Sequence, residues 1–482
     1  MIDVRPVAYV VGWLMLMLGG LMALPMVVDI AAGHSDAVAF AVSAVMTIVA
    51  GASLVFACAP HRSTALSLRQ GFLMTVVSWA LLPAVAVIPL MLGSARLDFT
   101  DAYFEMVSAM TATGATVMVG LDGMPPGVLL WRGLVTWTGG IGVILLALIL
   151  LPILNIGGMQ MLKNADFNTL GKAMPRAKTV ALSIGVTYLV LTLACGLGFA
   201  WAGLSGIDVV VHAMSSVATG GMANYDSSFA RFPPGAQYVA TVFMLLGAVS
   251  FIRYVQMARG DMGALVRDTQ VRTFFGIYLA LAIGLVFARW LAGEGIHERT
   301  IREVLFNLAS VITTTGFATT DYSLWGGLAQ TLFFCAMMIC GCSGSTTGGP
   351  KVFRYQILFE TIRVELHRLH SPNAVHIPRY QGEAMSETVL NSVIAYFMAF
   401  FLTLALGAVA LVLIGVDALS AISGAAAMIT NVGPGFGPVI GPVGSYAPLP
   451  DAGKWVCSFL MLVGRLEIVT VYALLTVAFW RG

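Results

Sequence analysis

The sequence predicts an all-α integral membrane protein with ten transmembrane helices, eight of them in four pseudo-repeats of helix, re-entrant short helix, loop and helix, behind an N-terminal two-helix hairpin. Three observations predict it. The 482-residue chain is 59% hydrophobic and only 10% charged, a composition of polytopic membrane proteins. Apolar stretches of about 20 residues, the length that crosses a bilayer, recur along the chain. Four segments end in glycine after small or hydroxyl residues, and each lies between two such stretches: TATG at 111–114, VATG at 217–220, TTTG at 313–316 and TNVG at 430–433.

The first two stretches, roughly 8–30 and 37–59, form the hairpin within residues 1–68. The first lacks the small-residue cleavage site of a signal peptide, and a second span follows closely, so it is expected to be retained. Repeat 1 (69–178) has spans near 71–93 and 127–152 and a short helix near 99–112. Repeat 2 (179–272) has spans near 179–203 and 236–258 with a short helix near 208–218. Repeat 3 (273–385) has spans near 273–293 and 324–349 with a short helix near 300–314. Repeat 4 (386–482) has spans near 388–416 and 453–480 with a short helix near 417–430. The segment-ending glycines lie 106, 96 and 117 residues apart, the period of one repeated membrane module.

The short helices cannot span, so they enter from one face and return. Non-helical backbone at membrane depth survives only where protein buries it or it lines a watery path, because each unsatisfied polar group costs several kcal/mol. Four such loops therefore predict a shared central pore, with the short helices as pore helices and the loops as its filter. The negative C-terminal ends of those helices and the loop carbonyls both favour a cation.

Loops on one side carry His61, Arg62, Arg69, Lys163, Lys172, Arg176, Lys178, Arg253, Arg259, Arg267, Arg272, Lys351, Arg354, Arg363, Arg368 and Arg379. With Arg5 and Arg481 that side holds 17 of the 25 Lys and Arg, so it is cytoplasmic and so are both termini. The opposite face holds most of the acids, among them Asp98, Asp101, Glu105, Asp122, Asp208, Asp226, Asp321, Asp417 and Asp451. They predict an acidic outer vestibule that concentrates cations, with ordinary solvated loop charge the alternative for any one of them. The cytoplasmic stretches 155–178 and 352–387 are long enough to meet a partner.

Aligned on their glycines, the four filters read Thr111, Ala112, Thr113, Gly114; Val217, Ala218, Thr219, Gly220; Thr313, Thr314, Thr315, Gly316; and Thr430, Asn431, Val432, Gly433. Compact side chains suit a narrow conduit, and glycine takes positive φ without a Cβ to narrow it. One such segment would mean only helix packing; four at corresponding places mean a filter. The MLLG, MMICG and MLVG turns at 244–247, 337–341 and 461–464 are read as helix packing at a glycine.

With TATGATV, VATGGMANYDSSF, TTTGFATTDYSLW, TNVGPGFG, GCSGSTTGGPK and VGRLEIVTVYALL, the chain resembles the Trk/Ktr/HKT superfamily of potassium transporters, in its bacterial TrkH/TrkG-type branch, over nearly all its length. The resemblance implies potassium uptake across the bacterial inner membrane, with potassium as the transported ion at the filter residues. Members with serine for the first filter glycine tend toward sodium, so Gly114 argues for potassium. A sodium-selective or sodium- or proton-coupled transporter of the same fold is the alternative.

The stretch Gly341, Cys342, Ser343, Gly344, Ser345, Thr346, Thr347, Gly348, Gly349 is too rich in Gly, Ser and Thr to remain helical in lipid and is expected to unwind beneath the filter. It lacks the GK[ST] ending of a nucleotide-binding loop. Arg465, near the middle of the last span, is an expensive charge that normally faces water. Both have a structural alternative, small-residue packing for the loop and a salt bridge or carbonyl clamp for the arginine. By resemblance the loop is an intramembrane gate and Arg465 an electrostatic barrier below the filter; Pro350 stands where an aliphatic residue is expected.

An enzyme would need convergent His, Asp or Glu at membrane depth. The seven histidines are read as lying in loops or at helix ends, and the spans as nearly free of ionisable groups apart from Arg465 and Glu467, which fits a channel-like mechanism as well as a coupled one. The chain is expected to carry no organic cofactor and to bind no nucleic acid. Its partners, the bilayer aside, follow from the resemblance: a homodimer, and a cytoplasmic ring of nucleotide-binding RCK/KTN-type regulatory subunits.

Overall fold

The computed structural model describes residues 2–59, 67–150, 177–371, 377–437 and 439–481. His61, Arg62, Lys163, Lys172, Arg176 and most of 155–178 lie outside the described residues. Among the described residues, apart from a two-stranded hairpin of Arg379–Tyr380 with Glu383–Ala384, the regular structure is helical.

Seven helices among the described residues are long and apolar enough to cross a membrane: Arg5–Ala32, Asp36–Cys58, Leu68–Leu92, Pro126–Leu145, Thr179–Trp201, Thr269–Leu291 and Glu387–Leu413. Two bent pairs raise the number to nine, Pro234–Gly247 with Phe251–Ala258 at 91° and Asp451–Arg465 with Ile468–Leu474 at 111°. The second bend falls at Glu467, whose φ of 62° leaves the helical region. The remaining expected span, 324–349, is helical only over the 13 residues Gly327–Ile339. Cys340, at φ 60°, ends that helix ahead of the Gly/Ser/Thr run.

The N-terminal hairpin packs on small residues. A Cβ on Gly12 would stand 2.9 Å from Gly51 O, and one on Gly51 2.8 Å from Gly12 O, so both helices need glycine for their backbones to approach.

Four short helices, Phe99–Met110, Ile207–Val217, Glu298–Ile312 and Ala418–Thr430, lie within two residues of their expected bounds. Asp98 and Asp417 cap two of them, accepting from Asp101 N at 2.8 Å and Ser420 N at 3.0 Å. One buried hydrophobic cluster gathers residues of the first and fourth repeats, and a second gathers residues of the second and third. The short helices therefore end inside protein, where their last carbonyls can meet.

Candidate ion pathway

Each short helix ends in the same backbone turn. Thr113 N donates to Ser108 O at 2.8 Å, Gly220 N to Ser215 O at 2.9 Å, Thr315 N to Ser310 O at 2.8 Å and Val432 N to Ala427 O at 2.8 Å. The preceding residue has positive φ in every case: Ala112 (50°), Thr219 (50°), Thr314 (56°) and Asn431 (59°). So does the following one: Gly114 (82°), Gly221 (70°), Gly316 (91°) and Gly433 (93°).

This register corrects the second segment. Gly221, not Gly220, corresponds to Gly114, Gly316 and Gly433, so the segment runs Ala218, Thr219, Gly220, Gly221, and Val217 is the last helical residue. The Gly220–Gly221 pair permits either register to an eye that aligns on Thr-Gly; the backbone needs φ above zero at the second and fourth positions, and that selects one.

The four segments close into a ring. A Cβ on Gly114 would stand 2.8 Å from Gly220 O of the second segment. One on Gly221 would overlap Thr315 O of the third, one on Gly316 would overlap Val432 O of the fourth, and one on Gly433 would overlap Thr113 O of the first. Every fourth-position glycine thus abuts the third-position carbonyl of the next segment, in the order one, two, three, four. The first-position hydroxyls of Thr111 and Thr313 each lie 2.7 Å from the third-position hydroxyls of Thr113 and Thr315. Asn431 Nδ2 crosses to Thr113 Oγ1 at 3.0 Å and also reaches Met461 O.

On one side of the ring Gly114, Gly221, Gly316 and Pro434 line a cavity of about 170 Å³. Among the acids expected in a vestibule, only Asp226 lines it, beside Arg132. Asp226 and several of the others hold loops together. Asp226 accepts from Gly120 N and Leu121 N, Asp208 accepts from Asn224 and Tyr225, and Asp321 accepts from Ser323 N. Glu105 is wholly buried and paired with Arg132 at 2.8 Å.

Beneath the ring, residues 341–349 form a non-helical loop between Cys340 and Lys351, two non-glycine residues at positive φ. Thr346 Oγ1 donates to Val217 O and Gly247 O, and Thr219 Oγ1 donates to it at 3.1 Å. Gly348 N donates to Thr314 Oγ1 at 2.9 Å, and a Cβ on Gly348 would lie 2.8 Å from Asn431 Oδ1. The loop is anchored by Cys342 N to Ala248 O and Ser343 N to Gln270 Oε1. It therefore rests against the second, third and fourth segments through the polar side chains at their second positions; Ala112, in the first, offers only a methyl.

Gly139, Gly247 and Gly464 of the helices that follow pack on Met110 O, Val217 O and Ile429 O, the last helical carbonyls of the first and second short helices and the penultimate one of the fourth. Gly341 meets Thr347 and Ala248 instead. Arg465, one residue beyond Gly464, is 5% exposed, and its three guanidinium nitrogens have no hydrogen-bond partner among the described residues. Glu467 does not pair with it but with Arg354, at 2.6 Å. The Arg354 guanidinium also stands 3.7 Å from the centre of the Tyr396 ring.

Sequence reasoning missed several of these groups. His212 is buried within a short helix, not at a loop or helix end, and Arg132, Arg289 and Lys454 add charges to helices that hydropathy presents as nearly free of them. Each is paired: Arg132 with Glu105, Arg289 with Glu303, and Lys454 with Asp101. For Arg132 and Arg289, a lone charge in an apolar run with an acid in the adjoining short helix was the available signal; Lys454 meets an acid of the first short helix, which no local pattern marks.

A family model described as TrkH, cation transport protein, matches residues 34–479. The chain belongs to the TrkH family. It is therefore a membrane transport protein and not an enzyme. Among its relatives in that family, the Trk system potassium uptake protein TrkI of Halomonas elongata is 40% identical over 479 residues, 99% of this chain and 97% of that one. The Trk system potassium uptake protein TrkH of Escherichia coli K12 is 33% identical, with 99% of each covered. The crystal structure of the potassium transporter TrkH from Vibrio parahaemolyticus superposes with a TM-score of 0.91 at 32% identity, covering 100% of both chains.

Proposed function

We propose that this TrkH-family chain takes up potassium across a bacterial inner membrane through the ring of four segments. The carrying observation is the closure of that ring, each fourth-position glycine against the next segment's third-position carbonyl, which supports backbone oxygens of the four segments as the ligands of a cation. The filter residues are those at 111–114, 218–221, 313–316 and 430–433, with glycine in the fourth position throughout. The names of the relatives, potassium uptake proteins, support potassium as the ion.

In this reading the chain has ten spans, the broken helix at 327–339 counted as one, with both termini cytoplasmic. An N-terminal hairpin (1–68) precedes four pore repeats at 69–178, 179–272, 273–385 and 386–482. Residues 341–349 gate the path, and Arg465, without a hydrogen-bond partner among the described residues, sets a barrier that a cation meets below the filter. A homodimer binds a cytoplasmic ring of nucleotide-binding regulatory subunits, which moves the loop.

Expression in a bacterium lacking potassium uptake systems is expected to restore growth at limiting potassium. Rubidium uptake by the purified chain in liposomes is expected to be blocked by potassium far more than by sodium. Uptake blocked by sodium and indifferent to potassium would replace this reading with the sodium-selective one.

A further inference from the structure

Nine residues before each fourth-position glycine, or ten in the last segment, a short-helix side chain reaches the backbone three residues beyond that glycine. Val117 N donates to Glu105 Oε2 at 3.0 Å, and Asn224 N to His212 Nε2 at 3.4 Å. Thr319 N donates to Asn307 Oδ1 at 3.1 Å, and Phe436 N to Ser423 Oγ at 2.8 Å. A carboxylate, an imidazole, an amide and a hydroxyl thus play the same part, each tying the chain that leaves the filter to the helix that entered it. Because His212 Nε2 accepts, its Nδ1 carries the proton and donates to Asp208 O at 2.8 Å.

The four ties are unequal. Glu105 also accepts from Thr116 Oγ1 and from Arg132 Nε, at 2.8 Å in the latter case. Arg132 then donates from a second nitrogen to Ala223 O, also at 2.8 Å. Thr116 and Ala223 each lie two residues beyond a filter glycine, in the first and second segments. The pair is thus a two-ended strap behind the ring, with side chains 0% and 2% exposed. A buried, fully hydrogen-bonded charge pair resists small displacements better than neutral contacts, because any movement leaves a charge uncompensated.

We propose that these side chains are positioning residues for ion discrimination, and that the Glu105–Arg132 strap holds the spacing between the first two segments at the value that admits potassium and penalises sodium. The inference rests on the filter reading above. A carbonyl ring rejects the smaller ion only if it cannot contract around it, and a strap on one side opposes that contraction.

The test compares the purified full chain with Arg132→Lys in liposomes, measuring the ratio of sodium to potassium concentrations that halve rubidium uptake, alongside the melting temperature. One lysine nitrogen cannot serve Glu105 and Ala223 O in the same fork geometry. The ratio is expected to fall roughly three- to tenfold, about the effect of one buried hydrogen bond, with the melting temperature near the parent's. A folded Arg132→Lys protein with the parent's ratio overturns the proposal. If that variant yields no folded protein, Ser423→Ala decides, since it removes one hydroxyl from the fourth tie: a lowered ratio supports the proposal and a parental ratio overturns it. A parent chain that does not discriminate potassium from sodium would instead overturn the filter reading.

Discussion

Gly348 N donates to Thr314 Oγ1 at 2.9 Å, joining the loop beneath the ring to the second position of the third segment. Thr314 is a β-branched residue at φ 56°, a conformation that costs about 1–3 kcal/mol and persists only where surroundings hold it. Thr314→Val keeps the shape and the strain but removes the acceptor, leaving a buried N–H unpaired at a cost of about 1–3 kcal/mol to the closed loop. Rubidium flux through the purified chain without regulatory subunits is expected to rise severalfold. An unchanged flux would separate the loop from gating.

The register of the second segment predicts a contrast between neighbouring glycines. Gly221 has φ +70°, and a Cβ there would overlap backbone at Thr315 O, so Gly221→Ala is expected to abolish uptake. Gly220 lies outside the positive-φ region, and the closest atom to its Cβ is the side-chain Cγ2 of Thr136. The double variant Gly220→Ala/Thr136→Ser, which deletes that methyl, is expected to retain uptake in the growth assay at limiting potassium, whereas Gly221→Ala/Thr136→Ser is not.

Arg465 predicts an unusual pairing of effects. Most substitutions at buried polar residues destabilise by breaking a bond, but this guanidinium has no hydrogen-bond partner to lose among the described residues. Arg465→Gln is expected to leave the melting temperature unchanged or higher and to raise rubidium flux, because a positive charge no longer opposes the cation. A large fall in melting temperature would point to a structural role.

Asp417, at the start of the fourth short helix, predicts a pH dependence. The backbone N–H of Ser420 holds its carboxyl below the usual aspartate value. A depressed folded-state value means the stabilisation is fully present above the unfolded pKa of about 3.9 and is lost as pH falls through the lower folded value. Asp417→Ala is expected to cost about 0.5–2 kcal/mol at neutral pH. The gap in melting temperature between parent and variant should be constant from about pH 5 to 7 and shrink in stronger acid.

Much of the pathway was legible because it is local. The short helices, the positive-φ glycines at 114, 316 and 433, and the unwound 341–349 stretch all follow from composition and turn chemistry within a few residues. The roles of the outer acids were hidden for the opposite reason. A loop aspartate looks solvated in sequence, but whether it faces water or caps a neighbouring N–H depends on chain folded against it from elsewhere, as Asp226 does with Gly120.

The sequence by itself determined that the chain lies in a membrane, where its four breaks in helix fall, and that those breaks are built from glycine and threonine. Hydropathy and backbone sterics are properties of short windows. Tertiary structure alone decided which glycine of the Gly220–Gly221 pair joins the ring, that Glu105 meets Arg132, and that Glu467 meets Arg354 while Arg465 finds no hydrogen-bond partner among the described residues. Those outcomes rest on contacts across 27 and 113 residues of chain, set by how the repeats pack and not by any spacing along them.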